Sequence, residues 1–178
     1  AYEIRLSLVG SEMCIRDSHS PLRHRGGTRM SRSTDEAHLP GLRQPVAAND
    51  GLDAPFWEGT KDHELKVQQC DDCGTHQWGP EWMCHSCNSL AVSWVTIEPI
   101  GEIYSWQRPH HPVHSALSDR GPYIIVLIEL PHASGIRMVG NLLGDPMQTI
   151  EIGAPVSAVF EDRQGDPNFT LVQWEIAD

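Results

Sequence analysis

The chain lacks the motifs of the common catalytic and phosphate-binding sites. Its 178 residues contain no GxSxG elbow, no HExxH helix, no P-loop and no GxGxxG turn. No uninterrupted run of 18 apolar residues occurs, so we expect no transmembrane helix. The first 18 residues have no basic region followed by an apolar core, and we therefore expect no secretory signal. These absences favour a cytoplasmic binding or accessory protein over a stand-alone catalyst.

Basic residues are also scarce, and they are unevenly distributed. The only lysines are Lys61 and Lys66, and six of the arginines lie within residues 1–34. Residues 35–178 hold seven Lys and Arg against 21 Asp and Glu, a formal net charge of −14. Because Lys and Arg contacts to phosphate supply most non-specific affinity for nucleic acid, this charge argues against a nucleic-acid partner.

Cysteine is rare as well, but four of the five cysteines form two Cys-x-x-Cys pairs. Ten residues separate Cys70 and Cys73 from Cys84 and Cys87. Two thiolates three residues apart on a tight turn can point at one centre, and two facing turns give a tetrahedral site that suits Zn²⁺. Four protein ligands leave no open position for water or substrate. The spacing therefore predicts a structural metal site without catalytic function.

Other interpretations of the cysteine pairs remain open. Iron is possible, because rubredoxin-type sites use the same four thiolates. Two disulfides or a redox Cys-x-x-Cys are further alternatives, although a reducing cytosol favours metal-bound thiolates. His76 and His85 lie near the pairs, but four cysteines already complete the ligand set.

The first 50 residues differ in composition from the rest. Residues 7–17 resemble translated sequencing-adapter read-through, so residues 1–18, with Cys14, carry no weight in the functional argument. Residues 19–50 are rich in Arg, Ser, Pro and Gly without apolar periodicity, and we expect a disordered tail.

From residue 51 onward the pattern is mainly β. Phe56 and Trp57 predict a short helix or turn that ends near Gly59, and residues 65–68 alternate as a strand. Residues 51–90 are therefore predicted to form a short helix and a zinc ribbon. Residues 91–178 contain about five principal strands, which predicts an OB-fold barrel. The expected strands, separated by Gly and Pro, are 94–97, 102–106, 123–130, 136–143, 156–160 and 169–176.

Three histidines cluster between two predicted strands. His110, His111 and His114 lie in a segment that also contains Pro109 and Pro112. Because no carboxylate within the cluster orients a ring, we interpret the segment as a solvated loop. A ligand or partner contact is the first alternative, and a second metal site is another.

Taken together, these landmarks resemble the DUF35 family over roughly residues 50–178. One departure is Gly79-Pro80-Glu81, where the family commonly has a Pro-Pro-Arg-like stretch. An acid at that position argues against a CoA phosphate contact there. The residues that carry the resemblance are Pro55-Phe56-Trp57, Leu65, Cys70-x-x-Cys73-Gly74, Cys84-x-x-Cys87, Trp94, Gly101-x-Ile103-Tyr104-Ser105-Trp106, His110, Pro112, Pro122-Tyr123, Val126-x-Ile128-Glu129-Leu130 and Gly153-x-Pro155-Val156.

The resemblance implies a rubredoxin-like zinc ribbon followed by an acyl-CoA-associated OB-fold. It further implies a small non-catalytic subunit that pairs with a thiolase-superfamily enzyme of the thiolase or aldolase type, or with a MaoC-type hydratase. The partner would supply the catalytic residues. This chain would support assembly and share the acyl-CoA site. Neither nucleic acid nor a membrane is an expected partner.

Contact with CoA requires apolar or aromatic surface for pantetheine and adenine, and a cation for phosphate. The candidates are Phe56, Trp57, Trp106, Arg108 and His110. For the three aromatic residues, packing in the core is the competing interpretation. Two other functions remain as alternatives: a zinc-ribbon and OB-fold protein that binds nucleic acid, and an enzyme in its own right.

Overall fold

The computed structural model describes residues 32–43, 45, 47–165 and 168–177. Residues 1–18, including Cys14, lie outside the described residues. Part of the segment expected to be a disordered tail is described, and it differs from that expectation. Strand β1 (Arg32–Thr34) runs parallel to residues 159–161 of the barrel. The carbonyl oxygen of His38 accepts a hydrogen bond from Arg120, so this segment lies against the barrel.

The helix and strands around the cysteines form the ribbon. Helix α1 (Ala54–Lys61) is followed by an antiparallel sheet in the order β3-β2-β4. The expected short helix is present, and it ends at Lys61, two residues beyond Gly59. Gly59 permits close packing: a Cβ there would lie 2.8 Å from Lys66 Cδ. The strands are β2 (Leu65–Cys70), β3 (His76–Gln77) and β4 (Val92–Ile97).

Five further strands close into a barrel, which confirms the predicted OB-fold. Antiparallel pairing joins β5 to β6 and β8, β6 to β7, and β8 to β9. A parallel pair between β7 and β9, at Leu142 and Trp174, completes the ring. The strands are β5 (Ile100–Gln107), β6 (Ile124–Leu130), β7 (Ile136–Leu142), β8 (Pro155–Arg163) and β9 (Phe169–Ile176).

One strand belongs to a different sheet from the one its position in the sequence suggests. We expected residues 94–97 within the barrel segment, but β4 pairs with β2 along its whole length, from Leu65 with Ile97 to Cys70 with Val92. The alternation of side chains identifies a strand without identifying its neighbour. Here the neighbour is the strand that leads into the first cysteine pair.

The ribbon and the barrel share one hydrophobic core. Phe56 of α1 and Leu65 of β2 are buried in the same cluster as Phe160 and Trp174 of the barrel. Trp78, which follows β3, packs against this cluster, with its ring 4.7 Å from that of Phe56. Because their apolar faces meet, the two units stabilise one another.

Among the described residues, no helix is both long enough and apolar enough to cross a membrane.

Candidate metal centre

Two turns of matching backbone geometry bring the four cysteines together. In the first, the Gly74 N–H donates to the Cys70 carbonyl oxygen, 2.9 Å away. In the second, the Asn88 N–H donates to the Cys84 carbonyl oxygen, also at 2.9 Å. The residue after each pair has a positive φ, +73° at Gly74 and +61° at Asn88. Gly and Asn are the residues that most readily adopt this conformation, so the sequence favours both turns.

The sulfur atoms have the separations that a tetrahedral metal site requires. Cys70 Sγ lies 3.5 Å from Cys87 Sγ, and Cys73 Sγ lies 3.7 Å from Cys84 Sγ. All four lie within 4.8 Å of one another. A tetrahedral site with Zn–S bonds of about 2.3 Å places its sulfurs about 3.8 Å apart. The four cysteines therefore fit a structural metal, and their chemistry suits zinc.

The geometry fits neither disulfides between these cysteines nor a histidine among the metal ligands. A disulfide requires sulfurs about 2.05 Å apart, and the pairs described above are separated by 3.5 and 3.7 Å. Neither nearby histidine joins them. His76 Nδ1 lies 3.0 Å from Ser134 Oγ in the β6–β7 turn. His85 is exposed, and its backbone N–H donates to Gln77 Oε1.

The thiols have unequal acidity because their neighbours differ. The Thr75 side chain, 3.3 Å from Cys73 Sγ, is the main cause that lowers the pKa of Cys73 to about 6. At Cys87 the Ser89 N–H lowers the pKa, but the other three cysteine thiols outweigh it and raise the pKa to about 12. A metal ion binds cysteine as thiolate, so loading the site releases protons.

Two buried glutamines, which the sequence analysis did not identify, position the second cysteine pair. Gln77 Nε2 donates to Gln68 Oε1 over 2.8 Å, and Gln68 Oε1 also accepts from the Glu81 N–H. Together they hold the loop that leads to Cys84. Within a short strand a polar residue looks solvent-exposed, so no signal in the sequence indicated this role.

The five residues proposed to contact CoA or a partner lie on two elements. Phe56 and Trp57 are on α1, where Phe56 is buried in the core and Trp57 donates from Nε1 to Asp53. Trp106 and Arg108 meet at the end of β5, with the guanidinium 5.1 Å from the ring centroid. Arg108 also donates to the carbonyl oxygens of Pro146 and Gln148, each at 2.6 Å. His110 follows on an exposed loop.

A four-cysteine ribbon packed on a closed five-stranded barrel defines the class of zinc-ribbon and OB-fold proteins. Two family models match the chain: the ChsH2 rubredoxin-like zinc ribbon domain at residues 57–93, and the ChsH2 C-terminal OB-fold domain at residues 94–161. A solved chain described as "Ltp2-ChsH2(DUF35) aldolase" is 32% identical with a TM-score of 0.63. The match covers 76% of this chain and 100% of that one. The chain belongs to the DUF35 family, as its sequence landmarks indicated.

Two curated relatives carry hydratase names. A probable enoyl-CoA hydratase alpha subunit of Thermomonospora curvata is 38% identical over 133 residues, which are 73% of this chain and 39% of that protein. The 3-oxo-4,17-pregnadiene-20-carboxyl-CoA hydratase alpha subunit of Mycobacterium tuberculosis is 30% identical over 141 residues, 79% of this chain and 42% of that protein. The chain thus spans about two fifths of the length of these relatives.

Proposed function

We propose that this chain is a non-catalytic subunit of an acyl-CoA-processing enzyme complex, where it supports assembly and contributes to acyl-CoA binding. The observation that carries the proposal is the four-thiolate site. Its ligands complete a tetrahedral coordination sphere, so the site supports the fold and leaves no position for substrate. We propose zinc as the resident metal and the cytoplasm as the compartment, since a reducing environment keeps thiolates available.

The relatives support an acyl-CoA enzyme as the partner. Two of them are named as hydratase alpha subunits, and the solved relative is named as part of an aldolase. We propose a partner of the thiolase superfamily, of aldolase or thiolase type, or a MaoC-type hydratase. The acidic character of residues 35–178 is consistent with a protein partner and disfavours the nucleic-acid alternative.

The end of β5 is the proposed point of contact with acyl-CoA. Trp106 offers a partly exposed aromatic surface. Arg108 uses two of its five N–H donors on backbone carbonyl oxygens, and the remaining three are available to an anion. His110 lies two residues beyond Arg108. Phe56 and Trp57 are weaker candidates for contact with acyl-CoA, because Phe56 is part of the hydrophobic core and Trp57 packs against it.

Replacing Arg108 with Ala is expected to raise the KM of the assembled complex for its acyl-CoA about tenfold, which corresponds to about 1.4 kcal/mol of lost binding. Arg108→Lys keeps the charge but loses the planar fork that contacts Trp106 and residues 146–148, so we expect its KM to lie between those of wild type and Arg108→Ala. Steady-state kinetics on the complex measures both. If the KM rises equally in the Arg108→Lys and Arg108→Ala complexes, Arg108 acts only by anchoring residues 146–148. An unchanged KM in both variants removes Arg108 from the proposed site.

The proposal as a whole is tested by affinity purification of the tagged chain from its source cells. Mass spectrometry should find an acyl-CoA hydratase, thiolase or aldolase subunit in near-stoichiometric amount. The purified chain alone should not turn over acyl-CoA, whereas the complex should. Turnover by the chain alone would contradict the non-catalytic role. Recovery of nucleic acid or of ribosomal and transcription proteins, released by salt, would instead favour the nucleic-acid alternative.

A further inference from the structure

Strand β6 carries apolar residues on both of its faces, and Glu129 is the one charged residue among its three outward ones. Its inward residues Ile124, Val126, Ile128 and Leu130 are buried in the core, and the outward Leu127 is still only partly exposed. Strands that are apolar on both faces are typical of sheets covered on both sides. In the part of the chain that the structure describes, the core covers the inner face alone. The outer face therefore has the composition of a surface that is buried in an assembly.

On the outer face Leu127 has one exposed apolar neighbour, Val139, and the next row of that face is the ion pair of Glu129 with Arg137. Leu127 pairs with Ser105 of β5 and with Val139 of β7, and Val139 is 71% exposed. The Arg137 guanidinium lies 3.5 Å from the centroid of the Tyr104 ring. Because Arg137 and Val139 point to the same side of β7, Tyr104 lies on that side too.

The loop before β8 extends this surface. The Gly153 N–H donates to the Ile103 carbonyl oxygen, so the backbone of this loop lies against β5 next to Tyr104, and Ile152 in the loop is 64% exposed. We call Tyr104, Leu127, Val139 and Ile152 the β5–β7 face. Exposed apolar residues on neighbouring strands and loops, with polar residues among them, are typical of a protein interface.

The charges around the β5–β7 face indicate the chemistry of its partner. Exposed Glu102 on β5 and exposed Glu151 beside Ile152 lie at its margin. The surface field is negative, because residues 35–178 carry a formal net charge of −14. Four of the described cations are also paired with carboxylates: Arg32 with Glu175, Lys66 with Glu64, Arg137 with Glu129 and Arg163 with Glu161.

We infer that the β5–β7 face is the surface that docks the acyl-CoA enzyme subunit, through an apolar segment of that subunit bordered by lysines or arginines. The inference rests on the proposed function and adds to it the place and chemistry of the contact. The apolar centre supplies the binding energy, and the acidic margin steers a basic partner into register.

The test uses the full-length chain and the acyl-CoA enzyme subunit that co-purifies with it, produced separately and titrated by calorimetry. Val139→Glu places a charge at the centre of the face, and we expect it to weaken binding at least 30-fold. The matched control is Val113→Glu, because Val113 is 77% exposed on the loop between β5 and β6. The Kd of the Val113→Glu variant should stay within about threefold of the wild-type Kd. Glu102→Lys should slow association and reduce its dependence on salt.

The possible outcomes separate this inference from the proposed function. If Val139→Glu binds as tightly as wild type, the β5–β7 face is not the docking surface, and the subunit role is unaffected. If the wild-type chain binds no acyl-CoA enzyme, the proposed function fails and the inference fails with it. If the wild-type chain self-associates and Val139→Glu is monomeric in size-exclusion chromatography, the face joins two copies of this chain, which overturns the assignment. Metal content and melting temperature, unchanged in both valine variants, establish that they are folded.

Discussion

Replacing Cys84 with Ser is expected to abolish metal binding and to unfold most of the protein. Cys84 is fully buried, and its sulfur lies among the other three. Metal binding supplies about 10–16 kcal/mol to zinc-finger folding, which is as large as the whole stability of a typical domain. Because the ribbon and the barrel share a core, loss of the site exposes apolar surface on both. Metal content, measured by mass spectrometry, should fall from about one ion per chain to near zero, with loss of soluble protein.

His85→Ala is the control, because His85 lies between the second pair of cysteines but is exposed. It should keep a full complement of metal and a wild-type melting temperature. If the Cys84→Ser chain aggregates before measurement, the wild-type protein treated with a chelator gives a second readout. Its melting temperature should fall sharply and recover when zinc is restored. A soluble Cys84→Ser variant that melts like wild type would refute the structural role of the site.

Substituting Gly101 by Ala should destabilise the barrel by about 3 kcal/mol, because overpacking against backbone is hard to relieve. A Cβ at Gly101 would lie 2.5 Å from Ile128 Cγ2 and 2.6 Å from the Glu129 carbonyl oxygen. Both atoms belong to β6, so β5 and β6 must separate to admit it. The melting temperature should fall by about 10 °C, which thermal unfolding followed by circular dichroism measures.

Gly121→Ala is the matched control, since a Cβ at that position meets nothing within 4 Å. The same chemical change should there be neutral or slightly stabilising, because alanine restricts the unfolded chain. Equal melting temperatures for the two variants would mean that β5 and β6 are packed less closely than the structure shows.

The grouping of the four cysteines could be predicted from sequence because its cause is local. A Cys-x-x-Cys turn determines the direction of two thiolates within four residues, and the second pair completes the set. The strands of the barrel could also be predicted, since Gly and Pro separate them and their side chains alternate. Each of these signals depends on residues that are close together in the chain.

The partners of these elements could not be predicted, because pairing is decided between distant segments. Nothing near residues 92–97 indicates that they pair with β2. The buried bond between Gln68 and Gln77 is equally hidden, because it exists only once the ribbon has closed. The position of Phe56 was ambiguous for the same reason. An aromatic residue on a short helix can pack in the core or contact a ligand, and only its neighbours in the fold distinguish the two roles.

The order of synthesis places a constraint on this architecture. Helix α1 is made early, but it packs against β9, the last of the described strands to be made. At about 5–20 residues per second, the roughly one hundred residues between them take about 5–20 s to translate. During that interval the aromatic side of α1 has no barrel to cover it. The nascent chain therefore passes through a period in which chaperones can bind it, and the length of that period depends on the speed of the ribosome.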